Sequence, residues 1–195
     1  MQKKSEAAWA ICLSEIDGGN STPKALAVTV VCGQNFPKTD KFGTCDPFIR
    51  FKPDDGQTIT KLSSNVGNGL TDFKETTNSA DRKNLETSVA KQTMFPRWDE
   101  KFLITFVDDE NPGKLNMAAW DYDTLTDIDY IGDFKILCET LELWMQEDIG
   151  FVVPMVCEVL KNGEVVKGGE SGSATTVHLK FEVVLDKAKD DLLKV

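Results

Sequence analysis

Thr176–Leu185, TVHLKFEVVL, sets Val177, Leu179, Phe181 and Val183 at every second position, with His178, Lys180 and Glu182 between them. A period of two turns apolar side chains to one face of a pleated strand and polar ones to the other, so the run reads as a strand with one dry and one wet face. Ala25–Cys32, ALAVTVVC, is rich in β-branched residues and alternates Leu26, Val28 and Val30, which predicts a second strand. Pro47–Lys52, Thr87–Gln92, Lys101–Phe106, Lys114–Trp120 and Phe151–Cys157 are strand-like as well. Many short strands divided by Gly, Pro, Asn and Asp predict an all-β antiparallel sandwich.

Outside these runs the chain reads differently. Residues 5–16 bring Trp9, Cys12, Leu13 and Ile16 to one face at helical spacing, with Ser5 as a cap, so the amino-terminal extension (1–24) reads as a short helix, a strand being the alternative. Residues 53–84 are polar, carry Gly56, Gly67 and Gly69, and are too long for a hairpin turn, which predicts a flexible insertion in a sandwich spanning 25–186. KNGEVVKGGESGSA reads as a polar turn before the last strand, and 187–195 as a C-terminal tail.

The 195 residues are 41% hydrophobic and 28% charged, ordinary values for a soluble globular chain. Asp and Glu number 32 against 22 Lys and Arg, a formal charge of -10 that repels nucleic-acid phosphate and anionic lipid at long range. Binding to a polyanion therefore needs a cation from elsewhere. Cys12, Cys32, Cys45, Cys138 and Cys157 are odd in number and scattered, without a C-x-x-C pair, so reduced intracellular thiols are expected rather than a disulfide framework or a zinc site. Neither a signal peptide nor a membrane-spanning stretch is read from the sequence.

Two segments gather aspartates beyond strand ends: TDKFGTCDPF, with Asp40 and Asp46, and WDYDTLTDIDYIG, with Asp121, Asp123, Asp127 and Asp129. A lone loop aspartate usually caps a turn. Six in two short loops at one end of a sandwich repel one another unless a hard cation enters, and calcium, which takes six to eight oxygens from flexible loops, suits such a cup. An EF-hand does not fit: counting from Asp121 puts Thr126 where that loop needs glycine and Gly132 where it needs glutamate.

These residues carry a family resemblance. Leu26–Val30 running into Asn35-Phe36-Pro37, then Asp40 through Cys45-Asp46-Pro47-Phe48, resembles the first strand and first calcium loop of a C2 domain. Phe95-Pro96-Arg97-Trp98-Asp99-Glu100-Lys101-Phe102 is similar to the family's Asn-Pro-x-Trp-Asn-Glu-x-Phe signature, with Phe95 in place of Asn. Trp120-Asp121-Tyr122-Asp123 followed by Asp129-Tyr130-Ile131-Gly132 resembles its third loop and the step that restarts the sheet. The resemblance implies an eight-stranded antiparallel Greek-key β-sandwich, of type II topology if the first strand is the one that enters the first calcium loop, and of the other permutation if Ala7–Ile16 is a strand. It further implies Asp40, Asp46, Asp121, Asp123 and Asp129 as side-chain ligands and Tyr122 as a carbonyl ligand for two or three Ca2+ ions. Asp127 is extra. The lysine-rich strand with which family members recognise phosphoinositides corresponds here to Leu85–Lys91, which carries one lysine.

Phe42 and Leu125 lie near the tips of the two acidic loops, where an apolar side chain lacks a core to join and can enter a lipid interface, ordinary loop packing being the alternative. Lys41 can reach a lipid phosphate or stay solvated. His178 is the lone histidine and lies on the wet face of its strand, so histidine-based catalysis has no second group to work with. The expected function is a monomeric, non-catalytic, cytoplasmic module that docks on an anionic phospholipid membrane when calcium arrives, with no nucleic-acid partner. The rivals are a protein-interaction module and a regulatory fragment of a larger signalling enzyme.

Overall fold

In the computed structural model, residues 25–38, 45–54, 56–62, 85–106, 114–122, 128–136 and 152–184 are described. They form β1 (Ala25–Gln34), β2 (Pro47–Lys52), β3 (Gln57–Leu62), β4 (Arg97–Phe106), β5 (Leu115–Asp121), β6 (Asp129–Ile136), β7 (Val152–Glu158), β8 (Leu160–Lys161), β9 (Glu164–Val165), β10 (Lys167–Gly168), β11 (Ser173–Ala174) and β12 (Thr176–Val184). The helix expected over 5–16 and the tail at 187–195 lie outside the described residues.

One sheet runs β3-β4-β1-β12-β7, a second runs β2-β5-β6-β8-β9, and β10 pairs with β11. Among the described residues all the pairings are antiparallel. The alternation in β12 is realised: Val177, Leu179 and Phe181 are buried, and the strand lies directly beside β1. The last described strand is thus the neighbour of the strand that leads into the first acidic segment. Between the sheets, Leu26, Val28, Val30, Phe102 and Ile104 meet Ile49, Phe51, Leu115, Met117 and Phe134. Phe51 and Phe102 touch across the layers at a ring-centroid distance of 4.5 Å. Each such side chain contributes about 1.5–3 kcal/mol by leaving water.

Two expectations are corrected. The insertion read over 53–84 contains a strand, since β3 pairs with β4 along Gln57–Leu62. As an edge strand it interleaves Gln57, Thr58 and Lys61 with Ile59, its one residue in the main core, so its polarity hid it. Conversely, 87–92 is not a strand. The segment runs along the free edge of β2, with the N–H groups of Thr87, Ala90 and Thr93 donating to the carbonyls of Ile49, Pro47 and Cys45 at 2.9, 3.0 and 2.8 Å. It advances three residues for every two of its partner, a spacing no regular ladder can follow. Among the described residues, eight strands are six residues or longer; β3 lies at the edge of the first sheet, whereas the 87–92 segment runs beside β2 in the second.

The stretch KNGEVVKGGESGSA is also more ordered than one turn. Asn162 and Gly163, with φ of 55° and 83°, join β8 to β9, the left-handed pair that a two-residue hairpin needs. Its far end clamps the exit of β1: the Thr175 hydroxyl donates to the Asn35 carbonyl at 2.7 Å, and the Gly169 N–H donates to the Phe36 carbonyl at 3.1 Å. Phe36 is fully buried against Trp98 where the chain leaves β1 for the first acidic segment. Gly33 is required there, because a Cβ at that position collides with the Phe36 ring.

Candidate functional site

The ends of three neighbouring strands converge. Asp46 immediately precedes β2, Asp121 closes β5 and Asp129 opens β6; Pro47 pairs with Asp121, and Asp121 with Asp129. Antiparallel pairing makes this unavoidable once the strands are in register, because the start of β2, the end of β5 and the start of β6 fall at one edge of the sandwich. Like charges directly opposite on adjacent strands are destabilising, so two aspartates in one register position call for compensation.

Compensation for Asp121 comes from the backbone. Its side chain continues the inward phase of Leu115, Met117 and Ala119 and is 2% exposed, and its Oδ1 accepts the Asp46 N–H at 2.6 Å. The Tyr122 N–H donates to the Asp46 carbonyl at 3.0 Å, so the two acidic segments are tied together through main chain on both sides of Asp46.

The Asp46 carboxylate is held differently. Its Oδ1 accepts the Gln92 N–H at 2.6 Å, and its Oδ2 takes the Lys91 ammonium at 2.8 Å. Gln92 sits at φ 51°, which aims its N–H at the carboxylate. The Lys91 ammonium also lies 4.5 Å from the centroid of the Tyr122 ring. A cation therefore already sits on one of the expected ligands. Sequence reasoning read Lys91 as the single lysine of a strand poor in basic residues, and its tie to Asp46 appears once the 86–93 segment is seen to hug β2.

Asp46, Asp121, Tyr122 and Asp129 are thus brought to one end of the sandwich. Asp40, Lys41, Phe42, Asp123, Leu125 and Asp127 lie outside the described residues. Among the described residues no set of three acidic, histidine or cysteine side chains closes into a metal cage. The donor chemistry still fits a hard cation, since the carboxylates of Asp46 and Asp121 come from adjacent strand ends and an ammonium occupies one Asp46 oxygen.

The lone histidine lies elsewhere. His178 is in β12 of the opposite sheet, opposite Cys32 and Val156. Burial raises the Cys32 thiol above its ordinary value and pushes Cys157 up to about 11, so both stay protonated near neutrality. Outside the aspartate cluster, the outer face of the second sheet stacks cations on aromatics. Arg50 lies 4.9 Å from the Trp120 ring and pairs with Glu86, while Lys52 and Lys161 flank Tyr130 at 5.5 and 5.6 Å. These basic residues come from β2 and β8, and not from Leu85–Lys91.

A family model for the C2 domain matches residues 24–77 and 74–151. Human Ras GTPase-activating protein 4B and human Ras GTPase-activating protein 4 are each 25% identical to this chain over 123 residues, 63% of this chain and 12% of theirs. The match thus spans about an eighth of those relatives' length. Among solved structures, a C2 domain of plant Extended Synaptotagmin 1 gives a TM-score of 0.53 at 16% identity, covering 84% of this chain and 96% of that domain. Human GIVD cytosolic phospholipase A2 gives 0.53 at 15% identity, over 87% of this chain and 17% of that one. At such identities these likenesses speak for the fold alone.

Proposed function

The chain belongs to the C2 domain family, and on that premise we propose that it is a calcium-dependent phospholipid-binding module without catalysis of its own. The observation that carries this reading is the convergence of Asp46, Asp121 and Asp129 on successive strand ends, with a cation seated on the first of them. Asp40, Asp46, Asp121, Asp123 and Asp129, with the Tyr122 carbonyl, are the groups that would hold two or three calcium ions. When bound, calcium would supply the positive charge that bridges these carboxylates to the phosphates of an anionic membrane.

The residues of the chain do the rest. Asp121, buried and tied to the Asp46 main chain, fixes the two acidic segments at one distance. Without a divalent ion the aspartate end carries negative charge and turns anionic lipid away, in keeping with the formal charge of -10. Phe42 and Leu125 enter the lipid interface beside it, each worth about 1–3 kcal/mol if fully buried, and Lys41 meets a phosphate. The module works as a monomer, cytoplasmic at rest and peripheral on a membrane during a calcium signal, a role suited to signalling and membrane trafficking.

A second reading, a targeting segment of a larger signalling enzyme, is favoured by the small share of the Ras GTPase-activating proteins that the match occupies. It uses the same aspartate end. Calorimetric titration with calcium tests the reading: the native chain is expected to give saturable heat that the Asp121→Asn, Asp123→Asn double variant lacks. Equal heat from both, or none from either, would overturn it.

A further inference from the structure

The geometry points to Lys91 as a built-in competitor for calcium: we propose that its ammonium holds the place of the divalent ion on Asp46 and so sets the calcium threshold of the site. This rests on the calcium reading above. The pair is asymmetric, with the Asp46 side chain 13% exposed and the Lys91 side chain 55% exposed, so the carboxylate belongs to the site and the lysine reaches in from outside it. The lysine is steered by two groups at once, the Asp46 Oδ2 at 2.8 Å and the Tyr122 ring at 4.5 Å. Both residues belong to the proposed ligand set.

The backbone carrying Lys91 is anchored, which confines the exchange to its side chain. Thr87, Ala90 and Thr93 fasten the segment to the edge of β2, and the Gln92 N–H holds the other oxygen of Asp46. Calcium binds carboxylate oxygens at about 2.3–2.6 Å. An ammonium within hydrogen-bond distance of the same oxygen meets that ion as a like charge at contact range, so the two cannot share Asp46 Oδ2. Calcium binding therefore expels Lys91 toward solvent. The same contact neutralises Asp46 while calcium is scarce.

The test compares the native chain with Lys91→Met and Lys91→Arg in calcium titrations at constant ionic strength, and follows acetylation of the Lys91 amine, resolved by mass spectrometry of its peptide, with and without saturating calcium. Lys91→Met is expected to bind calcium about two- to five-fold tighter, the range an ion pair of this exposure supports, and Lys91→Arg to stay near the native value. Acetylation of Lys91 is expected to speed up when calcium is added. If calcium binds but Lys91→Met leaves the affinity unchanged or weaker, or if acetylation ignores calcium, the competitor role is wrong while the calcium reading stands. If no variant binds calcium, both fall.

Discussion

Replacing Thr87 by valine tests how the 86–93 segment is fastened to the sandwich. Both outward-facing backbone groups of Ile49 are satisfied by this one residue: the Ile49 N–H donates to Thr87 Oγ1 at 2.9 Å, and the Ile49 carbonyl accepts the Thr87 N–H at 2.9 Å. Thr87 is 5% exposed and Ile49 is fully buried, so the N–H orphaned by valine has no ready access to water. An unsatisfied buried donor costs about 1–3 kcal/mol, and valine preserves the volume, so that loss is the dominant effect. Thr87→Ser keeps the oxygen and deletes one methyl, costing about 0.8 kcal/mol. Urea unfolding followed by tryptophan fluorescence is therefore expected to rank native, then Ser, then Val in falling stability. A hydrophobic account of the site gives the opposite order of the two variants. A Val variant as stable as the native chain, or more stable than Ser, would refute the strap described here.

The remaining predictions concern packing, titration and metal linkage. Gly33→Ala forces a Cβ into the Phe36 ring and is expected to cost about 1–3 kcal/mol in the same urea assay, whereas Gly163→Ala, with open space around its Cβ but φ of 83°, is expected to cost about 1 kcal/mol through backbone strain alone. Burial raises the Cys157 thiol from 9.0 to about 11, so the folded chain keeps a proton that the unfolded chain gives up. The contribution is whole below pH 9, and stability falls as the pH rises from there through about 11. The native chain is expected to lose more stability across that window than Cys157→Val does, and equal losses would remove this cause. Calcium at about a hundred times its Kd is expected to stabilise the native fold by about 2.7 kcal/mol per site, and to raise Tm accordingly. Chelation is expected to reverse the rise, and Asp121→Asn to lack it; an identical rise in that variant would point to binding elsewhere.

Legibility in the sequence followed the physics of each element. β12 and β1 could be read because they lie within a sheet whose inner face is dry: Val177, Leu179 and Phe181 in the one and Leu26, Val28 and Val30 in the other are buried at every second position. β3 could not, because its buried hydrophobic residues, Ile59 and Leu62, are three apart among threonines and a lysine and leave no such period. The 87–92 run failed in the other direction: its β-branched residues sit on a segment whose partners are taken every third residue, a pattern that composition does not record. At the site, the aspartates could be found because six carboxylates in two short loops stand out against ordinary turn chemistry. Lys91 could not be placed there, since its partner Asp46 lies forty-five residues away and meets it only through the path of the strap along β2.

The central claim is that this end of the sandwich exchanges electrostatic rejection of lipid for calcium-bridged attraction. Co-sedimentation with phosphatidylserine vesicles, with calcium and with chelator, for the native chain and for the Asp121→Asn, Asp123→Asn double variant, tests it most directly. The account predicts that the native chain pellets only with calcium and that the double variant stays in the supernatant in both conditions. Pelleting that ignores calcium, or that survives the double substitution, would contradict it, and absence of pelleting in every arm would turn attention to a protein partner for the same surface.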